Sequence, residues 1–349
     1  MTKEKVLLAM SGGLDSTAAA IILQDEGYQV VGLTLIMYKD EKSVNEGFYA
    51  KKIADELGIE HHTIDVRDNF KNSVIKYFID EYLDGNTPNP CVHCNTHIKW
   101  KYLDEKAEEL NCKYIATGHY AKKKKEKETY RIYKALDNSK DQSYFLYGLN
   151  QNILSKTLFP LGDYLKNNLK EMIPSPLYTY FHRQKESMEI CFIPDNNYRE
   201  FLNKNNPNLK EKLSGGKFIS TKGEVLGEHR GYPYYTIGQR KGLEIAVGYP
   251  LYVVEIIPEK NIIVLGTRDE LYHDKAKVSQ YNFLNNFIPE SPVEVTTKVR
   301  YNHKGEKSWL YLNKENIIVK FKNPVFAIAP GQSAVFYKDE QLLGGGIIQ

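Results

Sequence analysis

This sequence predicts an α/β fold with a parallel sheet at its N-terminal end, then a small central α+β or β domain, then an all-β C-terminal domain. Three observations carry that expectation. Short apolar runs alternate with helical patterns up to about residue 120, as βα units require. From Asn196 to Lys212 the composition turns Asn/Lys/Pro-rich, which marks a boundary. Beyond residue 274 the apolar runs are short and strand-like throughout. A chain of 349 residues exceeds the usual reach of one core, and the expected division is 1–195, 196–273 and 274–349.

Val6 to Met10 reads as a buried strand, Thr17 to Gly27 as a helix closed by glycine, and Gln29 to Met37 as the next strand. Asn45 to Leu57 is a further helix pattern, His61 to Val66 a strand, and Phe70 to Leu83 a helix. Asp84 to Pro90 carries two prolines and a glycine and must be a loop. A helix resumes after Lys99 to about Leu110, and Cys112 to Thr117 reads as a strand. The lysine run Lys122 to Lys125 reads on its own as a solvated turn. Tyr252 to Ile257 and Ile262 to Leu265 flank Pro258-Glu-Lys-Asn261 as a hairpin, and Val293 to Val299, Ile317 to Phe321 and Ala334 to Tyr337 are strands. Ser214-Gly-Gly-Lys217 and Gly344 to Gly346 lack a following helix pattern and read as turns or strand kinks.

With 42% apolar and 26% charged residues the chain is an ordinary globular one, neither disordered nor coiled coil. Its longest apolar runs fall far short of the ~20 residues a membrane helix needs. The apolar stretch Val6 to Met10 runs directly into Ser11-Gly-Gly rather than a cleavage pattern, so the expected location is the cytoplasm, with no membrane partner. Forty-seven Lys plus Arg against 44 Asp plus Glu give a formal charge of +3, which neither demands nor excludes nucleic acid. Four cysteines are too few for a disulfide scaffold and suggest catalysis, metal or packing.

Ser11-Gly12-Gly13-Leu14-Asp15-Ser16 lies between a predicted strand and a predicted helix. Two glycines let the backbone turn tightly, and the helix N-terminus offers unpaired N–H groups to an anion. No Gly-Lys-Ser/Thr follows, so this is not a Walker A loop. A carboxylate at Asp15 beside phosphates makes sense if it caps the helix or helps hold Mg²⁺.

Cys91-Val-His-Cys94 sits on a proline-stiffened loop entering a helix. The helix dipole favours thiolate there, whereas a free cysteine of pKa ~8.5 offers only a few per cent at neutral pH. Four readings stay open: a sulfur nucleophile; a zinc site using Cys91, Cys94 and His97, for which no second CxxC or HxxxH completes the set; an iron–sulfur cluster on Cys91, Cys94 and Cys191; and plain packing. Cys112 begins a strand and is expected to be structural, and Cys191, within Ser187 to Ile193, reads alone as part of a buried strand. Paired with a reactive thiol elsewhere, Cys191 suits persulfide–thiol exchange.

The Ser11–Ser16 loop resembles that of the ATP pyrophosphatase superfamily, in which SGGxDS binds the pyrophosphate end of ATP while AMP is transferred to a substrate oxygen. NAD, GMP and asparagine synthetases, tRNA lysidine synthetases and sulfur-transfer enzymes share such a loop. Six further motifs follow in order: Thr87-Pro-Asn-Pro-Cys-Val-His-Cys-Asn95, Ala116-Thr-Gly-His-Tyr-Ala121, Lys140-Asp-Gln-Ser-Tyr-Phe-Leu146, Glu189-Ile-Cys-Phe-Ile193, Tyr235-Thr-Ile-Gly-Gln-Arg-Lys-Gly242 and Ala329-Pro-Gly-Gln332. Together, almost end to end, they resemble the tRNA-specific 2-thiouridylases.

That resemblance implies an adenine nucleotide α-hydrolase-like N-terminal domain and a C-terminal β-barrel. It implies adenylation of the C2 oxygen of the wobble uridine in tRNA by ATP with Mg²⁺, and replacement of AMP by sulfur. Carried over, Ala9, Met10, Ser11, Gly12, Gly13, Leu14, Asp15 and Ser16 hold the ATP phosphates, and Met37 and Gly118 line the adenosine site. Cys94 matches the nucleophile, and Cys191 the carrier of a persulfide received from a cysteine desulfurase or relay protein. His119, Lys140, Asp141, Gln142, Arg300, Tyr301 and Gln332 match tRNA contacts, and Asn89, Pro90 and Cys91 match the segment beside the target base. Many members have aspartate where Cys91 stands, which raises the cluster reading. Rival readings are another adenylating ligase with structural cysteines, and a non-catalytic tRNA-binding protein that senses ATP.

Overall fold

The computed structural model describes residues 3–38, 47–181, 190–193, 195–284, 292–313 and 315–349. In chain order the first elements are β1 (Lys5–Ala9), α1 (Leu14–Asp25), β2 (Gln29–Ile36), α2 (Phe48–Glu56), β3 (Glu60–Asp65), α3 (Arg67–Phe70), α4 (Lys76–Leu83), α5 (Pro90–Cys94), α6 (Trp100–Glu109) and β4 (Tyr114–Ala116). Single π turns, Lys71–Ile75 and Asn95–Lys99, splice α3 to α4 and α5 to α6. Then come β5 (Ala121–Glu126), β6 (Thr129–Lys134), α7 (Gln151–Lys156), β7 (Thr157–Leu158), α8 (Lys166–Leu169), α9 (Tyr178–Phe181), α10 (Tyr198–Asn205) and α11 (Leu209–Leu213). The rest is strand: β8 (Gly216–Ser220), β9 (Val225–His229), β10 (Tyr252–Ile257), β11 (Ile262–Gly266), β12 (Tyr272–Phe283), β13 (Val293–Lys298), β14 (Glu306–Leu312), β15 (Ile317–Phe326), β16 (Ser333–Lys338) and β17 (Gln341–Ile348).

The first sheet is parallel, in the order β3-β2-β1-β4-β7. Val6, Leu7 and Leu8 are wholly buried because helices cover both faces, which is why β1 is a continuous apolar run rather than an alternating one. Strand order reverses between β1 and β4, and the crevice outside their carboxyl ends is where open α/β sheets hold ligands. Ser11–Gly13 leaves the end of β1, and Thr117–His119 leaves the end of β4.

The second sheet, β10-β11-β8-β9, contains the expected hairpin of β10 and β11. Its buried Phe218, Val253 and Ile263 share one apolar cluster with Phe70, Phe78, Phe192 and Cys94 of the N-terminal part. In the third sheet β12-β15-β14-β13-β16-β17 closes on itself through β12 and β17, giving a six-stranded antiparallel barrel.

Several expectations need correction. Lys122–Lys125 is strand β5, not a turn: it pairs with β6, which pairs in turn with barrel strand β17, and Lys123 and Lys124 lie 4.7 and 5.1 Å over the rings of Tyr130 and Tyr133. Aromatic partners on β6 thus hold a run whose own charges disfavour pairing. Cys191 lies in a turn rather than a buried strand and is exposed, while its neighbours Phe192 and Ile193 are buried; Ser187 to Glu189 lie outside the described residues. Cys112 precedes β4, which starts at Tyr114. The helix expected from Asn45 runs from Phe48, Asn45 itself lying outside the described residues. Gly344–Gly346 lie within β17, where a Cβ on Gly344 would meet the Asn282 carbonyl oxygen at 2.2 Å, so close strand approach accounts for glycine there. Among the described residues no helix is long and apolar enough to cross a membrane.

Candidate active site at the sheet crevice

The phosphate-type loop is held from inside. Ser16 Oγ donates to the Gly13 carbonyl at 3.0 Å, as does Thr17 Oγ1, and Ser11 N donates to Ser16 Oγ at 3.3 Å. Gly13 is the N-cap of α1 and supplies no side-chain cap, so the first-turn N–H groups of Leu14, Asp15 and Ser16 are presented to an incoming anion. Gly12 takes φ +76, and a Cβ there would lie 2.8 Å from Ala50 N at the start of α2. Gly118 brings the end of β4 against the same helix start, where a Cβ would stand 3.4 Å from Ser16 N. Ala9 ends β1, and Met10 is buried, its carbonyl accepting from Thr34 Oγ1 at 2.7 Å; both serve the loop through the backbone.

Asp15 neither caps α1 nor stands open to a cation. Its Oδ1 accepts from Tyr120 Oη at 2.7 Å, and its Oδ2 lies 3.1 Å from Lys166 Nζ. Neither partner was legible from the motif; Lys166 enters from α8, 151 residues away.

The cysteines lie beside this crevice. Asn89 caps α5, its side chain accepting from Val92 N, and Pro90 occupies the first turn, where its missing N–H costs nothing. Cys91 is exposed on that turn, whereas Cys94 ends α5, is buried, and sits with its Sγ 4.0 Å from Met37 Sδ just past the end of β2. Burial pushes the Cys94 thiol up to about 12, opposed by the charge of Lys99 and reinforced by Cys191 and Cys91. At Cys94 the expected thiolate is therefore overruled by desolvation. Lys99 stands at the end of the π turn and also acts on His119, which burial, first, and then Lys99 hold well below the usual imidazole range. No motif pointed to Lys99; a π turn inside a helix at a functional site is the structural signal.

Cys191 is carried by an aromatic anchor. Phe192 is buried between Phe70, Phe78 and Phe201, ring centroids 5.6, 5.3 and 5.2 Å away, in the same cluster as Cys94 and Met37. One thiol thus faces solvent while the other lies inside, within each other's electrostatic reach. Beside them Tyr77 stacks on His93 at 4.4 Å, Ser73 Oγ is 3.0 Å from His93 Nε2, and burial with His97 brings His93 down to about 4.

The residues expected at a tRNA surface divide. Asp141 is buried and accepts from Ala135 N at 3.0 Å and from Ser143 Oγ at 2.9 Å, and Gln142 Oε1 accepts from Tyr120 N at 3.0 Å, so both side chains organise the turn that carries Lys140. Arg300 donates to the carbonyls of Phe326 and Ala327, and Tyr301 packs at a tilt against Phe145, ring centroids 4.7 Å apart, beneath Lys298. His119 Nδ1 lies 2.9 Å from Thr117 Oγ1 and the ring sits 5.2 Å from Trp100. Gln332 Nε2 donates to the carbonyls of Thr87 and Pro88, and Thr87 N donates to Pro330, so the barrel clamps the loop that presents the cysteines.

A parallel sheet with a glycine loop and a helix N-terminus at its switch point, and a buried thiol at the edge of that crevice, defines an α/β protein with a candidate nucleotide site. The model described as "tRNA methyl transferase HUP domain" matches residues 4–195; those described as "tRNA methyl transferase PRC-barrel domain" and "Aminomethyltransferase beta-barrel domain" match 199–267 and 273–348. Among curated proteins, the tRNA-specific 2-thiouridylases MnmA of Cytophaga hutchinsonii and Amoebophilus asiaticus are 44% and 45% identical, covering 99% and 100% of this chain and 98% and 96% of their own. That of Salinibacter ruber is 44% identical over 99% of this chain and 94% of its own. The chain belongs to the tRNA-specific 2-thiouridylase family.

Proposed function

We propose that this protein is a tRNA sulfurtransferase that uses ATP to convert a wobble uridine to 2-thiouridine, with Cys94 and Cys191 handling the sulfur. The observation that carries the reading is the contact of Cys94 Sγ with Met37, which joins the sulfur chemistry to the nucleotide crevice. The loop Ala9–Ser16 receives the phosphates, and Met37 and Gly118 border the adenosine. The uridine C2 oxygen attacks the α-phosphorus, the bond to the β-phosphate oxygen breaks, and pyrophosphate leaves. A carbonyl oxygen is a poor leaving group and AMP a good one, which is why adenylation precedes sulfur entry.

Exposed Cys191 accepts a persulfide from a donor protein; buried Cys94 attacks the inner sulfur, releasing hydrosulfide and forming a Cys94–Cys191 disulfide. Hydrosulfide adds at C2, the C–O bond breaks and AMP departs, and a cellular thiol then reduces the disulfide. Asn89, Pro90 and Cys91 lie beside the base; Lys140, Arg300, Tyr301, His119 and Gln332 frame the tRNA surface, with Asp141 and Gln142 shaping it from within. Mg²⁺ enters chelated to ATP. The cytoplasm, which holds tRNA and reducing thiols, is the location this activity needs. The chain divides into domains near 195 and 273, with β12 straddling the second division from Tyr272.

A cluster on Cys91, Cys94 and Cys191 is the alternative sulfur carrier. The three thiols share a neighbourhood, but among the described residues no three His, Cys, Asp or Glu are grouped to hold a metal, and the exposed and buried thiols suit a relay better. Incubating the protein with tRNA, ATP, Mg²⁺ and a persulfide donor should yield 2-thiouridine by nucleoside mass spectrometry; tRNA that gains no sulfur refutes the proposal. Iron and sulfide in anaerobically purified active protein would replace the relay by the cluster.

A further inference from the structure

The Asp15–Lys166 pair poses a charge problem that the loop by itself does not explain. A carboxylate in the first turn of the helix that receives a polyphosphate repels its ligand unless something offsets it. Here Lys166 Nζ lies 3.1 Å from Asp15 Oδ2, with the lysine side chain 12% and the aspartate 34% exposed, so the pair sits at the edge of the loop rather than in bulk water. Lys166 is held at both ends: its backbone N–H donates to Asp137 Oδ2 at 3.0 Å, and its ammonium meets Asp15. Asp15 is fixed on its other oxygen by Tyr120, whose backbone N–H and C=O are both bonded to Gln142. A long cationic side chain held this way loses little further freedom when an anion arrives.

Resting on the ATP reading above, we propose that Lys166 binds the β- and γ-phosphates of ATP and carries their charge as pyrophosphate leaves, and that Asp15 is a positioning residue for Lys166 rather than a ligand of Mg²⁺. The ammonium bridges the carboxylate and the phosphates, staying within reach of Asp15 so that its charge remains offset, while Tyr120 keeps Asp15 in place.

Calorimetric titration of the full-length protein with ATP, AMP and inorganic pyrophosphate tests this. Lys166→Ala should weaken ATP and pyrophosphate by about 10- to 100-fold, the range of a charge-assisted hydrogen bond, and leave AMP within about twofold. Unchanged AMP affinity also shows that the variant is folded. Equal loss for ATP and AMP, or no loss for either, overturns the assignment. In Asp15→Asn the Mg²⁺ concentration needed for half-maximal turnover should stay within about twofold of the parent; a tenfold rise makes Asp15 a metal ligand and overturns its positioning role. Wild-type protein that binds neither ATP nor pyrophosphate removes the nucleotide reading itself, whereas a normal wild type with an unaltered Lys166→Ala removes Lys166 alone.

Discussion

Replacing Cys94 with serine is expected to lower tRNA thiolation by about three orders of magnitude or more, and Cys191→Ser to do the same, while ATP affinity stays within about twofold. A serine hydroxyl neither carries a persulfide nor attacks one at neutral pH. The two thiols act in consecutive steps on one sulfur atom, so the double variant should be no worse than either single one. ATP binding survives because neither thiol belongs to the Ser11–Ser16 loop. The Cys94 thiol at about 12 also sets a pH signature. Below that value the thiolate fraction climbs about tenfold per pH unit, so the Cys94-dependent step should accelerate through pH 7 to 9 rather than level off near the ordinary thiol value. Quantifying 2-thiouridine at single turnover across this range checks both points. Thiolation that persists in Cys191→Ser with the same donor would contradict the relay.

Gly12→Ala should cost ATP binding at least about 50-fold and leave the fold standing. Two effects add. The left-handed φ of +76 costs an alanine roughly 1–2 kcal/mol, and its Cβ would stand 2.8 Å from Ala50 N and 3.2 Å from the Tyr49 carbonyl carbon, both backbone atoms of a packed helix. The loop must therefore shift, and the anion-binding N–H groups shift with it. The fold stays because Leu7, Ala18 and Ala19 are wholly buried and none of them is among the atoms the new Cβ meets. Gly27→Ala is the control: it shares a positive φ, +89, but has nothing within 4 Å, and should lose a little stability and no ATP affinity. Thermal melting and calorimetry separate the two outcomes; normal ATP binding in Gly12→Ala would show that the loop tolerates displacement.

What the sequence disclosed was local. Val6 to Leu8 is apolar on both faces, and Ser11–Ser16 spaces two glycines before a helix; each is written in adjacent residues. What it withheld depends on distant partners. Lys122–Lys125 becomes a strand because β6 is in turn paired to β17, with Ile132 opposite Leu342. Cys191 is exposed because Phe192, rather than the whole run, is the anchor in the aromatic cluster. Asp141 reads as a surface carboxylate beside a lysine but is turned inward by the N–H groups of Ala135 and Ser143. Asp15 found a lysine where the motif suggested a cap or a metal.

The central claim is that one sulfur atom passes from Cys191 to the base and leaves the two cysteines joined. Protein loaded with ³⁵S at Cys191, given tRNA and ATP for a single turnover without reductant, reports on it directly. The label should appear in 2-thiouridine in step with a Cys94–Cys191 disulfide in the peptide map, one for one. Labelled 2-thiouridine accompanied by two free thiols, or a disulfide formed while the label stays on the protein, would contradict it.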